Sequence, residues 1–194
     1  MDDGRCEAMC GRYYIDERAV ADIRTTCTAA GRVPSGDIHP GDTALVLSGE
    51  GPMEMRWGFP RPNQKGLWVN ARAESILDRP AFSESVLRRR CIVLAGGFYE
   101  WDRDRQKASF TRKEEPVIFM AGCYRRFEDG NHFVILTTRA NDSVRQIHER
   151  MPLILEKEEL DAWLRENPSL KGLLSKVPPS LERYQEYEQQ RLPF

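Results

Sequence analysis

The sequence predicts an α+β fold: a single domain with a mostly antiparallel, partly barrel-like β core flanked by short helices. Its length of 194 residues is normal for one domain. Many short apolar runs are separated by hairpin-turn sequences, and few helices could serve as crossover connections. Hydrophobic residues make up 40% of the chain, including four Trp, eight Phe and six Tyr, so a sizeable core can form.

The N-terminal third is predicted to hold one strand and one helix. Residues 10–15 read as a short strand, and Asp16 is placed to cap a helix that runs to about residue 30. Apolar side chains recur on one face of that helix at three- and four-residue spacing. Residues 31–42 are rich in Gly and Pro, which predicts a loop.

The remainder alternates strand-like runs with turns and short helices. Gly-Glu-Gly at 49–51 and Asp-Gly-Asn at 129–131 are typical hairpin turns. The predicted strands are 43–47, 53–59, 67–71, 91–101, 109–112, 117–124 and 133–138. The predicted helices are 81–89, 143–148, 157–165 and 169–174.

The chain divides into a body and two ends. Residues 1–9 are expected to form a flexible N-terminal extension that is removed, and residues 10–176 the folded body. Pro178-Pro179 ends regular packing, so residues 177–194 are expected to be a polar, loosely held C-terminal tail.

Charge is unevenly distributed although the net charge is only −1. Residues 56–145 carry 17 Lys and Arg against 11 Asp and Glu, whereas residues 1–55 carry 5 against 10 and residues 146–194 carry 7 against 9. A basic block of this kind is compatible with a phosphate-binding face. An ordinary mixed solvated surface explains the charges equally well.

Composition also bounds the class of protein. We see no apolar run long enough to span a membrane and no secretory signal, so we expect no membrane partner and a cytoplasmic protein, nucleoid-associated in a bacterium. Five Cys without repeated spacing favour reduced thiols. The C-x3-C pair of Cys6 and Cys10 is a poor zinc pattern. We expect no metal and no cofactor.

The stretch Met9-Cys10-Gly11-Arg12 raises a chemical question. An internal Cys10 would most often be a small buried hydrophobe. A Cys10 at the N-terminus would instead offer an α-amine with a pKa near 8 beside a thiol with a pKa near 8.5. Such an aminothiol condenses with an aldehyde to a thiazolidine ring. Whether the preceding residues come off therefore decides the chemistry.

Three further residues stand in contexts that packing alone does not require. Asn70 interrupts a strand-like run, Glu100 lies among aromatic residues that can raise a carboxyl pKa, and His148 precedes a Pro-bounded strand. Each also has a structural explanation. Asn70 could bind a turn backbone, Glu100 could form a salt bridge, and His148 could simply pack.

Six motifs taken together resemble one family. They are Cys-Gly-Arg at 10–12, Arg-Trp-Gly at 56–58, Asn-Ala-Arg-x-Glu at 70–74, Gly-Phe-Tyr-Glu-Trp at 97–101, Thr-Thr-x-Ala-Asn at 137–141 and His-x-Arg-Met-Pro at 148–152. In this order they resemble the SRAP family, the SOS-response-associated peptidases that act as abasic-site processing proteins. The likeness spans about residues 9–164.

The resemblance implies a groove for single-stranded DNA and a covalent reaction. In the family, the Cys after the initiator Met crosslinks to the ring-opened sugar of an abasic site and shields the lesion. By motif, Cys10 is the nucleophile, and Asn70 orients it. Glu100 is the general acid/base, and His148 helps to open the sugar and to protonate the imine.

The resemblance also implies DNA contacts. Arg12 and Arg72 are phosphate clamps, and Thr137 and Thr138 line the same pocket. The DNA path for unstacked bases is shaped by Trp57, Trp101 and the loop at Pro40. That loop reads Asp-Ile-His-Pro-Gly at 37–41, where the family more often has Asn-x-x-Pro, so the sequence departs from the family pattern at this DNA contact.

The predicted function is therefore a crosslinking enzyme for abasic sites in single-stranded DNA. It includes a self-processing cysteine peptidase activity that exposes Cys10, with possible lyase activity. Two alternatives stay open. One is a non-covalent binding module for single-stranded or modified DNA with an inert Cys10. The other is a Cys peptidase that acts on other proteins.

Overall fold

A computed structural model describes residues 11–26, 33–165 and 170–185. Fifteen strands are present in these ranges: β1 Tyr13–Ile15, β2 Gly36–Ile38, β3 Thr43–Ser48, β4 Gly51–Trp57, β5 Phe59–Pro60, β6 Leu67–Trp68, β7 Asn70–Arg72, β8 Arg90–Ala95, β9 Gly97–Trp101, β10 Lys107–Thr111, β11 Ile118–Phe127, β12 Gly130–Arg139, β13 Arg150–Pro152, β14 Ile154–Leu155 and β15 Glu182–Gln185. The α-helices are α1 Glu17–Thr26, α2 Ser83–Arg88, α3 Leu160–Leu164 and α4 Leu170–Leu174, and 3-10 helices cover Ala73–Asp78 and Lys157–Glu159.

Five strands close into a barrel. The order around the ring is β12, β4, β3, β8 and β11, and β11 pairs with β12 again to close it. Only the β12–β4 contact in the ring is parallel. At its centre, Val93 of β8 pairs with Val46 on one side and with Met120 on the other, and all three are fully buried. The predicted barrel-like, mostly antiparallel core is confirmed.

A second sheet of five strands lies outside the barrel in the order β15, β10, β9, β1 and β2, with antiparallel pairing throughout. Its inner face belongs to the core, because Tyr13, Phe98 and Phe110 pair across neighbouring strands and are fully buried. Its outer face carries partly exposed aromatic and charged side chains. The sheet is therefore covered on one side only.

The chain passes from the barrel to the second sheet at Gly96. The sequence predicted one strand over 91–101, but the run is divided into β8 and β9, which belong to different sheets. The Gly96 N–H donates to the Tyr14 carbonyl oxygen at 2.7 Å. A Cβ on Gly97 would lie 2.4 Å from Tyr14 Oη and 2.6 Å from the Phe110 carbonyl oxygen, so only glycine fits this crossing.

Three predicted elements differ from the structure. The predicted loop 31–42 contains β2, which pairs with β1. The predicted helix 143–148 is a series of turns, because Asn141 accepts hydrogen bonds from both the N–H and the hydroxyl of Ser143 and starts a turn instead. The segment after Pro179 is packed, with Leu181 buried and β15 paired to β10.

The predicted N-terminal helix is present as α1. Asp16 caps it through its Oδ1, which accepts from the Ala19 N–H at 2.8 Å. The extension of this helix beyond residue 26 and the start of the predicted strand at Cys10 lie outside the described residues.

Candidate functional site

One edge of β12 assembles several of the predicted site residues. Strand β4 pairs with β12 up to Trp57 and Phe133, and β7 continues along the same edge in parallel. This register sets Asn70 beside Ile135 and Arg72 beside Thr137. On the other edge, β13 pairs with Thr137, Thr138 and Arg139 of β12, so the two pairings overlap at Thr137. Residues from three distant segments thus meet at the end of the barrel.

An ion pair between the buried Arg150 and the partly exposed Glu74 organises this end. Arg150 donates from Nη1 and Nη2 to the two carboxylate oxygens of Glu74 at 2.7 and 2.8 Å, and Nη2 also donates to the Thr137 carbonyl oxygen at 2.7 Å. The Thr138 hydroxyl donates to Glu74 at 3.3 Å. Partial burial alone would raise the pKa of Glu74, but the hydrogen bonds from Arg150 and Thr138 bring it below its ordinary value.

The backbone of Arg150 contacts the His148 ring. The Arg150 N–H donates to His148 Nδ1 at 3.0 Å. Nδ1 also lies 3.3 Å from the Arg150 carbonyl oxygen, to which it donates in the tautomer that carries the proton on Nδ1. His148 is half-buried and its own N–H donates to the Val144 carbonyl oxygen. In both tautomers these contacts involve Nδ1, so Nε2 is the ring nitrogen that can contact a substrate.

An arginine-rich pocket of about 960 Å³ opens beside this pair. Its lining includes Arg72, Arg79, Arg139, Arg145 and Arg150, together with Glu74 and Glu149. Arg150 is bound to Glu74 and Arg145 lies 3.2 Å from Asp142. Within the described ranges Arg72, Arg79 and Arg139 have no carboxylate within salt-bridge distance, so their charges are available to an anionic ligand.

Arg12, Glu100 and Trp101 meet on the second sheet. The Tyr99 N–H donates to the Arg12 carbonyl oxygen at 3.0 Å, which sets Arg12 beside β9. The Arg12 guanidinium lies 5.4 Å from the Trp101 ring centroid and 3.6 Å from the Asp37 carboxylate. Glu100 points to the other side of β9 and is 4% exposed. A carboxylate that is so buried is suited to proton transfer rather than to solvation.

Trp57 connects the two groups of residues. It was predicted to shape the DNA path directly, but its side chain is fully buried. Its indole N–H donates to the Val69 carbonyl oxygen at 3.0 Å, beside Asn70, and its ring lies 5.2 Å from that of Tyr13. In this structure Trp57 therefore supports the site from beneath instead of offering a face to bases.

The Pro40 loop is held on Trp57 as well. The Gly41 N–H donates to the Trp57 carbonyl oxygen, and the Trp57 N–H donates to Asp42, both at 2.8 Å. Pro40 itself is exposed. Of the two predicted pocket threonines, Thr137 is fully buried and Thr138 is 8% exposed. Thr137 and Thr138 bind the Glu74–Arg150 pair, which limits what they can offer to a ligand.

Cys10 lies outside the described residues. Two other cysteines are described, Cys91 of β8 and Cys123 of β11, and both are free thiols with no solvent exposure. Burial raises the pKa of Cys91 well above its ordinary value and that of Cys123 to about 12. Neither thiol forms the reactive thiolate at neutral pH.

Sequence reasoning missed the roles of Glu74 and Arg150. Both stand inside motifs that were singled out, Asn-Ala-Arg-x-Glu and His-x-Arg-Met-Pro, but no role was assigned to either. One motif contains an acidic residue and the other a basic residue, and this could have predicted an ion pair between them. Arginines that are buried are usually paired with an opposite charge.

Two properties were searched only in the described part of the chain. No group of three or more His, Cys, Asp or Glu side chains there is arranged to hold a metal ion. No helix within the same ranges is long and apolar enough to cross a membrane.

Comparison with protein families gives one match over most of the chain. A family model described as SOS response associated peptidase (SRAP) matches residues 9–189. Among individual proteins, the abasic site processing protein YoaM of Bacillus subtilis is 30% identical over 205 residues, covering 91% of this chain and 90% of YoaM. YedK of Escherichia coli, with the same description, is 29% identical over 69% of this chain and 65% of YedK.

A vertebrate protein and solved structures are also similar. The abasic site processing protein HMCES of Xenopus tropicalis is 27% identical, covering 57% of this chain and 44% of HMCES. A crystal structure of a protein from Bacteroides thetaiotaomicron superposes with a TM-score of 0.76 at 22% identity, over 91% of both chains. A phage-related protein from Bordetella bronchiseptica gives a TM-score of 0.73 at 21% identity.

Proposed function

The chain belongs to the SRAP family, as its six motifs indicated, and from that membership we propose that it processes abasic sites in DNA. In the form we propose, it holds a single-stranded abasic site and links to it covalently through a free N-terminal Cys10. Its relatives YoaM, YedK and HMCES are named abasic site processing proteins. The product would be a DNA–protein crosslink that shields the lesion.

The observation that carries this proposal is the arginine-rich pocket at the end of the barrel. The pocket offers the charges of Arg72, Arg79 and Arg139 to an anionic strand. Its lining includes residues that closely follow Asn70 and His148 in sequence, namely Arg72 of β7 and Glu149 and Arg150. Phosphate contacts of this kind position a nucleic acid without reading its sequence. An abasic site has no base to be read, so a protein that binds it also needs contacts that do not depend on sequence.

The proposed reaction is a condensation. The α-amine of Cys10 attacks the aldehyde carbon of the ring-opened deoxyribose, and the resulting carbinolamine loses water to give an imine. The thiolate sulfur then adds to the imine carbon while the nitrogen takes up a proton, which closes the thiazolidine. One C–N bond and one C–S bond form, and one water molecule leaves.

The described residues can supply the proton transfers. His148 is assigned to donate from Nε2 to the sugar ring oxygen as the ring opens and to the imine nitrogen later, since its Nδ1 is held by the Arg150 backbone. Glu100 is the buried carboxylate that accepts protons from the amine and the thiol. Asn70 is assigned to orient the Cys10 terminus.

The reaction requires that the Met9–Cys10 bond be absent. An amide nitrogen is not a nucleophile, so a Cys10 that is still joined to Met9 cannot form the imine. We assign the cleavage to the protein itself, as a hydrolysis in which water adds across the Met9–Cys10 amide. The fragment of nine residues is released, and the α-amine of Cys10 is the new terminus.

The test is intact-protein mass spectrometry before and after mixing with single-stranded DNA that carries one abasic site. The chain beginning at Met1 should lose nine residues and only then gain the mass of one DNA strand less one water. A chain beginning at Met9, from which the initiator Met is trimmed, should react at once. An adduct on a chain that still retains residues 1–9 would contradict the aminothiol reaction.

Two Cys10 variants separate the steps. Cys10→Ser keeps the amine but lacks the thiol, so it should give only an imine, stable after borohydride reduction and lost without it. Cys10→Gly should behave in the same way, since it also keeps an amine. If the wild-type protein binds abasic DNA but never gains its mass, it is a non-covalent binding module instead.

A further inference from the structure

The outer face of the second sheet carries a second group of aromatic and cationic side chains. Strand register places Tyr99 of β9 opposite Ser109 of β10, and Ser109 opposite Tyr184 of β15. Directly opposed residues share a face of the sheet, so the two phenol rings flank Ser109. Lys107 is opposite Trp101 on the same face. No motif of the sequence assigned a role to Lys107, Ser109 or Tyr184.

These side chains form a small open pocket. It has a volume of about 210 Å³ and is lined by Tyr99, Lys107, Ser109 and Tyr184. The Tyr184 side chain is 56% exposed although it is large and aromatic. The Lys107 ammonium is also exposed and lies 4.4 Å from the Tyr99 ring centroid. The rings of Tyr99 and Tyr184 thus form two sides of the pocket and the Ser109 hydroxyl lies between them. The Lys107 ammonium lies over the Tyr99 ring.

The spacing of the walls suits a planar guest. Tyr99 and Tyr184 are two strands apart, which separates their backbones by about 10 Å. A flat ring in van der Waals contact with an aromatic ring on each side needs about 7 to 8 Å. The backbone separation is therefore wide enough for one heteroaromatic ring between the two phenols. The Ser109 hydroxyl lies between them and donates to the Tyr184 carbonyl oxygen at 3.5 Å.

The pocket is continuous with the residues proposed to hold the lesion. The rings of Tyr99 and Trp101 are 6.5 Å apart, and Arg12 lies over Trp101. Glu100, between them in sequence, points to the opposite side of the same strand. The cations Arg12 and Lys107 both lie near Trp101. The acidic residue Glu182 is two residues before Tyr184 on β15, opposite Thr111 of β10. Asp37 lies 3.6 Å from the Arg12 guanidinium and accepts from the Tyr99 hydroxyl, so the charge of Arg12 is already paired. Within the described residues Lys107 has no carboxylate at salt-bridge distance, so its ammonium over the Tyr99 ring is the cation on this route that a phosphate can use.

We propose that this pocket binds one unpaired nucleobase of the strand that flanks the abasic site, stacked between Tyr99 and Tyr184, with its phosphate against Lys107. The inference rests on the proposed function, since it identifies the substrate as a lesion with at least one unpaired neighbouring base. Aromatic platforms with a nearby cation bind single strands without sequence preference, because every base presents a stacking face.

The experiment measures the dissociation constant of oligonucleotides by fluorescence anisotropy. Each carries a tetrahydrofuran unit at the lesion position, which cannot react with an amine. In a series of oligonucleotides, one flanking nucleotide at a time is also replaced by tetrahydrofuran, which removes its base and keeps its phosphate. For the wild-type protein, one flanking position should be sensitive, with a loss of affinity of about 5- to 100-fold.

Variants then tie that position to the pocket. Tyr184→Ala should bind the intact oligonucleotide as weakly as the wild type binds the one without the sensitive base, and should no longer respond to its removal. Tyr184→Phe keeps the ring and should restore the response. Leu87→Ala truncates another exposed apolar side chain, on α2, and should leave the whole series unchanged. Lys107→Gln should lower the salt dependence and keep the response to the base.

The possible failures are distinct. A Tyr184→Ala protein that keeps its unfolding temperature and also keeps the wild-type response to base removal would overturn the pocket assignment. A wild type with no sensitive flanking position would overturn it too. Failure of the wild type to gain mass from aldehydic abasic DNA would instead reject the proposed reaction, whatever the flanking bases do.

Discussion

The closed barrel and the open second sheet differ in how much of their surface is left for a ligand. In the barrel every strand has a partner on both sides, and β8 is buried along its whole length, so its side chains serve packing. The second sheet is covered on one face only, and β9 alternates buried Phe98 and Glu100 with partly exposed Tyr99 and Trp101. A one-sided sheet can hold a reactive carboxylate beneath and a ligand surface above on adjacent residues.

Because of this difference, substitutions in the two regions should affect different properties of the protein. Changes in the barrel should alter stability and leave the chemistry of the folded fraction intact. Changes on β9 and at the mouth of the arginine-rich pocket should alter reaction or binding with little effect on folding.

Glu100→Gln is expected to slow the proposed crosslinking by about 10²- to 10⁴-fold, because it removes the carboxylate that we propose as general acid/base and keeps the shape of the side chain. Single-turnover rates between pH 5 and 8 measure the effect. Glu54→Gln makes the same change at an exposed position of the barrel strand β4 and should react like the wild type. Equal rates for the Glu100 variant and the wild type would remove this carboxylate from the reaction.

Met120→Ala should cost about 2 to 5 kcal/mol of the free energy of unfolding, because Met120 is fully buried in the barrel between β8 and β14. Urea unfolding measures the loss. Met120→Leu conserves volume and should cost less than about 1.5 kcal/mol. The rate per folded molecule should stay unchanged in both, and a large drop in that rate would break the division between barrel and sheet.

Arg72→Ala should weaken binding of abasic single-stranded DNA and lower the slope of log affinity against log salt by about 1, as for the loss of one phosphate contact. Titrations at several salt concentrations give the slope. Arg126→Ala removes an exposed charge from the barrel strand β11 and serves as the matched control. Identical slopes for the two variants would make Arg72 a structural residue.

The Glu74–Arg150 pair should give a small stability term that depends on pH. The folded pKa of Glu74 is below its unfolded value, so its contribution is present above the ordinary pKa of 4.5 and is lost as pH falls through the folded value. The term should be on the order of 1 kcal/mol, because the carboxylate is 41% exposed and screened by solvent.

Urea midpoints of the wild type and Glu74→Gln over pH 3 to 6 check this. The difference in stability between the two proteins should shrink as the pH falls. A difference that is constant over that range would assign the loss to packing rather than to the ion pair.

The fold class followed from local signals. The turns at 49–51 and 129–131 both join antiparallel neighbours in the barrel, as their Gly-rich sequences predicted. The division of 91–101 at Gly96 could not be predicted in the same way, because the run is apolar on both sides of the break. Its first half pairs in the barrel and its second half in the second sheet. Only the Gly-Gly pair marked the place.

The motifs singled out Asn70, Arg72 and His148, but the sequence does not give the geometry of the site. The position of Arg72 beside Thr137 depends on the parallel register of β7 with β12, which joins segments far apart in sequence. The burial of Trp57 did have a signal. Met55 and Trp57 alternate with exposed Glu54 and Arg56, and this period of two directs Trp57 into the core.

The two buried thiols of the barrel have a practical consequence for labelling. Because Cys91 and Cys123 are fully buried and keep their protons far above neutral pH, a folded chain presents neither to an alkylating reagent. Any cysteine of the native protein that reacts quickly with iodoacetamide must then be Cys6, Cys10 or Cys27. Once residues 1–9 are removed, only Cys10 and Cys27 remain as candidates. The wild-type protein can therefore report the state of its own N-terminus without a cysteine being replaced.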